Sequence, residues 1–234
     1  MTTTKARIIR ITKENGVKYA DSVGDLNLIH RDTAFARGKG LVDVIAPGMC
    51  LASNIQDKRP LRKASIKFKG MVFYEDEIKM QENEENEGVF IFTKGDEEVC
   101  QVKAEYGDLE RKDAFPPGEI DFTYRKLVKE EDIKKYLKAL GIKDLKKLPE
   151  MYFASLSAPA LLGYGRVKGI DSGIHVSQSF ELNQQPETGY LEISITNSRE
   201  RRGRSMHDMY WLQNERVLAK GKALVLQPET DKSN

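Results

Sequence analysis

The feature that most constrains this chain is a pattern that occurs twice. Val128-Lys-Glu-Glu-Asp-Ile-Lys-Lys-Tyr136 echoes Thr12-Lys-Glu-Asn-Gly-Val-Lys-Tyr19, and Pro149-Glu-Met-Tyr-Phe-Ala-Ser155 echoes Pro47-Gly-Met-Cys-Leu-Ala-Ser53. A period this long repeats a whole domain, not a solenoid unit. Each copy continues into alternating runs: SIKFKG (65–70), EIKMQ (77–81), VFIFT (89–93) and VCQVKAEY (99–106) in the first, then HVSQSFEL (175–182), YLEISIT (190–196), SMHDMYWL (205–212) and VLAKGKALVL (217–226) in the second. Such runs, broken by Gly, Asp, Glu and Asn clusters, predict antiparallel strands joined by hairpins. Ahead of them, residues 5–12 read as a short strand or lead-in, Thr12-Lys13-Glu14 as a helix start, and 48–55 as a buried central helix. A helix followed by a meander is an α+β layout, a sheet wrapped on a helix. Asp113-Ala-Phe-Pro-Pro-Gly118 breaks both element types and divides the chain into halves, 1–112 and 113–234.

The two copies are not equal. Tyr19 and Tyr136 are 117 apart but Pro47 and Pro149 only 102, so the second copy lacks 15 residues between its first and central helices. In the first copy that interval holds Gly24-Asp25-Leu26-Asn27-Leu28-Ile29-His30 and a polar, Gly-bearing loop; at the 117 offset Asp25, Asn27 and His30 fall on Ile142, Asp144 and Lys147. Chemistry is therefore expected in the first half alone.

Composition removes several functions. A net charge of +2 is too small for nucleic-acid or membrane binding through bulk electrostatics. No segment approaches the roughly 18 apolar residues of a membrane span, and MTTTKARIIRITKE lacks a signal-peptide core. Cys50 and Cys100 have no partner spacing, so no metal site or disulfide framework is expected, and a reduced, cytoplasmic setting is.

Tyr19, the run Gly24 to His30, and Ala46-Pro47-Gly48-Met49 resemble the signature of the MaoC-like dehydratases and (R)-specific enoyl-CoA hydratases. That signature is a tyrosine, then Gly-Asp-x-Asn-Pro-Ile-His, then Ala-(His/Pro)-Gly-Met at a helix start; Leu28 stands where proline is usual. The match covers roughly residues 5–108, while the second half resembles the fold only. The resemblance implies a double hot-dog fold in which one half keeps the catalytic residues. It also implies a hydro-lyase interconverting a trans-2-enoyl thioester of coenzyme A or acyl carrier protein with its (3R)-3-hydroxyacyl thioester, without metal or redox cofactor. Asp25 and His30 would be the catalytic pair, Asn27 would orient the loop or His30, and the Gly48 amide would take the thioester oxygen at a helix N-terminus.

Each residue also has a bland reading. Asp25 alone is a turn or cap residue, Asn27 a turn residue, His30 a structural or surface histidine, and Gly48 after Pro47 ordinary helix-start geometry. Their joint spacing favours the functional reading. His175, at a strand start, and His207, in a strand, read as structural; Cys50 reads as a small core residue. The apolar segment 151–165 reads as core that also lines an acyl tunnel. The tips Glu82–Glu87 and Arg199–Arg204 occupy equivalent hairpins, one acidic and one basic. Solvated hairpins are the default; the sharper reading gives Arg201, Arg202 and Arg204 a coenzyme A phosphate or an acidic carrier protein. The rivals are an acyl thioesterase, for which residues 48–55 offer no carboxylate and Glu150 is the nearest substitute, and a non-catalytic acyl-CoA-binding module. Homo-oligomerisation is left open.

Overall fold

The structure, a computed structural model, describes residues 6–55, 59–109, 118–143 and 149–227. The first half runs β1 (Arg7–Arg10), α1 (Lys13–Val23), a 3-10 turn (Leu28–His30), α2 (Thr33–Gly38), α3 (Gly48–Ala52), β2 (Leu61–Phe68), β3 (Glu77–Glu82), β4 (Val89–Lys94) and β5 (Glu97–Tyr106). The second runs β6 (Ile120–Val128), α4 (Glu130–Ala139), α5 (Glu150–Ser155), α6 (Ser157–Val167), β7 (Ile174–Leu182), β8 (Gly189–Arg201), β9 (Arg204–Gln213) and β10 (Arg216–Leu226). All pairings are antiparallel within one ten-stranded sheet, ordered β1-β3-β4-β5-β2-β7-β10-β9-β8-β6. Read inward from either edge, each half contributes its strands in the order first, third, fourth, fifth, second. The halves join where β2 pairs with β7, with Ala64 opposite Phe180, Ser65 opposite Ser179 and Ile66 opposite Gln178.

Side chains on the inner face of the sheet pack on the helices, and both halves share one continuous core. Phe180 and Trp211 meet edge to face there, and the Trp211 indole donates to the Phe153 carbonyl at 2.9 Å, so the one buried polar atom of that ring is satisfied. The duplication is visible in single bonds. Ser53 donates to the Met49 carbonyl at 2.6 Å and Ser155 to the Met151 carbonyl at 2.7 Å. Tyr19 donates to Ser155 at 2.6 Å, and its ring lies 5.4 Å from that of Tyr136, tying α1, α4 and α5 together.

The structure departs from the sequence reading in two places. The helix of the first half stops at Ala52, short of Ile55, whereas the second half continues from α5 into α6 as far as Val167. The edge strand β6 was not anticipated: only Val128 of its residues is buried, so its sequence carries no alternation. Of the segment Asp113–Gly118 only Gly118 lies within the described residues, and Asp144 and Lys147 lie outside them.

Candidate active site

The loop after α1 is built from its own side chains. Thr12 caps the start of α1 by accepting from the Asn15 amide at 3.1 Å, and Gly24, at φ 82°, ends it in the left-handed conformation. Asp25 Oδ1 then accepts from the Asn27 amide at 3.0 Å, and Asn27 Oδ1 accepts from the Ile29 amide at 3.3 Å, two successive Asx-type bonds that turn the chain into the 3-10 element. With proline absent at Leu28, these side-chain bonds shape the turn. Arg31 clamps it by donating to the Asp25 carbonyl at 2.9 Å while pairing with Asp21 at 2.7 Å. Beneath, Ile29, Ala36, Leu41, Val44 and Ile45 form a satellite core of their own.

Asp25 and His30 are both buried, at 5% and 7% exposure. His30 Nδ1 lies 2.8 Å from the Ile45 carbonyl, which can only accept, so Nδ1 carries the hydrogen and Nε2 is the basic nitrogen. Nε2 stands 3.6 Å from Asp25 Oδ2. That is too long for a direct hydrogen bond and suits one oxygen held between the two groups. Asp25 Oδ1 is occupied as an acceptor, which leaves Oδ2 as the oxygen that faces His30.

Gly48 opens α3, and as first helical residue it has no carbonyl of its own helix to donate to. A Cβ there would come within 2.8 Å of the Phe68 ring, so glycine keeps the helix tip open beside that ring. Asp25, Asn27, His30 and Gly48 all line one cavity of about 380 Å³. Its other wall comes from the second half: Ala158, Leu161, Leu162 and Tyr164 of α6, with His175 and His207. The two halves are also bonded here, since Asn27 Nδ2 donates to the Gly173 carbonyl at 3.0 Å.

All three histidines of the chain face this cavity, and two of them were read as structural from the sequence. For His207 that reading fits its bonds: its nitrogens meet Ser198 and Ser205 hydroxyls at 2.9 Å each, and burial pushes its pKa down to about 4. His175 differs. Its Nε2 is shielded from solvent and has no hydrogen-bond partner among the described residues. Burial lowers its pKa to about 4 against a smaller opposing pull from Asp25. The alternation through Leu182, Phe180 and Gln178, all buried, would send an odd-numbered residue to the outer face. A β-bulge reverses that phase: Ser177 pairs with Leu224 and His175 with Val225, leaving Val176 as the extra residue.

Arg201, Arg202 and Arg204 are not gathered with the other predicted residues. They are exposed at the β8–β9 tip, which adjoins the cavity only through Glu200 and Ser205. The acidic run Glu82–Glu87 occupies the corresponding β3–β4 connection. Glu150, buried as the first residue of α5, does not line the cavity. Cys50 is buried in α3, with its thiol pKa pushed far upward by burial, and is no nucleophile at neutral pH. Among the described residues no cluster of three or more His, Cys, Asp or Glu could hold a metal, and no helix is long and apolar enough to cross a membrane.

Residues 2–105 match the model of the MaoC like domain family. No curated protein matches the chain significantly. Among solved structures, a MaoC-like dehydratase superposes with a TM-score of 0.68 at 12% identity, covering 97% of this chain and 98% of its own. Rv0216 of Mycobacterium tuberculosis, described as having a double hotdog fold, gives 0.62 at 8% identity, with 97% of each chain covered. A protein of Lactobacillus plantarum described as an oleoyl thioesterase gives 0.59 at 9% identity, covering 97% of this chain and 98% of its own. The fold is thus of the hot-dog type, which dehydratases and thioesterases share.

Proposed function

We infer, from the match of residues 2–105 to the MaoC like domain family, that this chain is a hydro-lyase acting on 2-enoyl and (3R)-3-hydroxyacyl thioesters. The observation that carries this reading is the pair Asp25 Oδ2 and His30 Nε2, 3.6 Å apart at the wall of a largely apolar cavity beside the Gly48 helix tip. In hydration, His30 Nε2 takes one proton from a water whose oxygen bonds to the β-carbon. Protonated Asp25 Oδ2 gives one proton to the α-carbon. The pair thus holds one proton before the step and one after it, now on His30 in place of Asp25, and returning it to Asp25 completes the cycle. Between the two transfers the thioester oxygen gains charge, and the Gly48 amide donates to it. Asn27 holds the loop by its bonds to Ile29 and Gly173 and so fixes where Asp25 and His30 stand. The (3R) stereochemistry is carried over from the family.

The rest of the chain serves this site. We read the architecture as a double hot-dog, residues 1–112 supplying chemistry and 113–234 a degenerate half whose α6 forms the acyl wall. The exposed Arg201, Arg202 and Arg204 are suited to the phosphates of coenzyme A or to an acidic carrier protein. The rival thioesterase reading draws on the shared fold, but Glu150, the carboxylate it would use at a helix start, is not in the cavity.

The deciding experiment is incubation with crotonyl-CoA and longer 2-enoyl-CoAs, following loss of conjugated thioester absorbance, release of free thiol and product chirality. Hydration to the (3R) alcohol without thiol release supports the reading. Thiol release without hydration replaces it by the hydrolase, and tight binding with neither reaction replaces it by the binding module.

A further inference from the structure

The buried nitrogen of His175 has no role in the scheme above. An unpaired polar atom shielded from water is costly, so a folded protein keeps one where something else completes it. The bulge at Val176 shifts the phase of β7 beside His175, and bulges beside sites commonly re-aim one side chain. His175 lines the same cavity as Asp25 and His30. Two residues before it, the Gly173 carbonyl receives Asn27 Nδ2 at 3.0 Å, so the start of β7 is bonded directly to the catalytic loop. His207, further along, has both nitrogens engaged by serines and offers nothing to a ligand.

Resting on the hydro-lyase reading, we propose that His175 is a third contact to the reacting oxygen: its Nε2 accepts a hydrogen bond from the O–H that stays on that oxygen. The water has two hydrogens. One passes to His30 Nε2 as the new C–O bond forms; the other remains on the product hydroxyl and points at His175 Nε2. No proton is transferred to His175, whose basicity burial lowers. The contact fixes the rotation of the water, so that its remaining lone pair faces the β-carbon. The second half then supplies a substrate contact as well as a wall.

The test compares ligands that differ by this one hydroxyl. Binding of (3R)-3-hydroxybutyryl-CoA and butyryl-CoA, and of the corresponding octanoyl pair, is measured on wild type, His175→Leu and His175→Gln. A neutral hydrogen bond gives roughly a 3- to 10-fold preference. His175→Leu is expected to weaken the hydroxyacyl ligands by about that factor and lower kcat, while the saturated ligands shift by less than about 3-fold. His175→Gln, which keeps a polar tip, is expected to recover part of the preference. Equal weakening of both ligands by His175→Leu overturns the proposal, since that is what loss of packing alone does. If His175→Leu does not fold, His175→Phe is read by the same comparison. A wild type that neither hydrates any enoyl-CoA nor prefers the hydroxyacyl ligands overturns the hydro-lyase reading itself, whereas a wild type that does both while the variants keep the preference overturns only the role of His175.

Discussion

Replacing Asp25 separates the two jobs its carboxylate does. Oδ1 holds the loop by accepting from the buried Asn27 amide at 3.0 Å, and Oδ2 faces His30 Nε2 at 3.6 Å. In Asp25→Asn the amide oxygen keeps the first bond. The new NH2 group points at an Nε2 that has a free lone pair, because the Ile45 carbonyl holds the hydrogen on Nδ1. The turn therefore persists, and stability should change by less than about 1 kcal/mol. In Asp25→Ala the Asn27 amide is left buried and unpaired, a cost of about 1–3 kcal/mol. Catalysis responds differently, since on the hydro-lyase reading both variants lose the proton carrier for the α-carbon. General acid–base catalysis contributes roughly 10²–10⁴-fold, or about 3–5 kcal/mol of barrier. The expected result is two variants of similarly low kcat, of which only Asp25→Ala unfolds at lower urea. Turnover is followed by loss of enoyl-thioester absorbance and stability by the urea midpoint. Asp25→Asn retaining more than a tenth of wild-type kcat, or losing as much stability as Asp25→Ala, refutes this division of labour.

Three further outcomes are expected. Gly48→Ala drives a methyl to within 2.8 Å of the Phe68 ring at the helix tip, and should lower kcat by about 10²–10³ with an overpacking cost of about 1–3 kcal/mol, read from kinetics and Tm. Reversing Arg201, Arg202 and Arg204 to Glu should raise KM for coenzyme A thioesters by roughly three- to tenfold, less at high salt, with kcat nearly unchanged; an unaltered KM removes the hairpin from recognition. His175 and His207 have pKa values of about 4 in the fold, lowered by burial from a usual 6.5, so the unfolded chain binds their protons more readily. Stability should be full above about pH 6.5 and decline as pH falls towards 4, by at most about 3 kcal/mol for each histidine, and denaturant midpoints that stay level between pH 7.5 and 5 would contradict this.

The sequence made the strands of both halves legible wherever one face is buried, because burial on alternate residues leaves a period of two. β6 escaped since an edge strand with one buried residue leaves no such trace. Asp25, Asn27 and His30 were singled out by their resemblance to a family signature, and the structure places all three along one cavity. His175 belongs to the same cavity from the far side of the fold. Period-two logic points it outward, and only the pairing across β10 reveals the extra residue that turns it in. Bulges leave no reliable mark in a single sequence unless glycine or a charge betrays them, and Val176 is neither. The arginine hairpin was equally legible as a hairpin, but nothing in its local spacing fixed its distance from the cavity.

The β2–β7 seam has one more implication. Its strands are parts of a single polypeptide, so bringing the two walls of the cavity together carries no concentration dependence, and dilution cannot take them apart as it would two separate subunits. The halves are also free to change independently, each substitution being felt once instead of twice. One side can be reshaped while Asp25 and His30 opposite stay as they are.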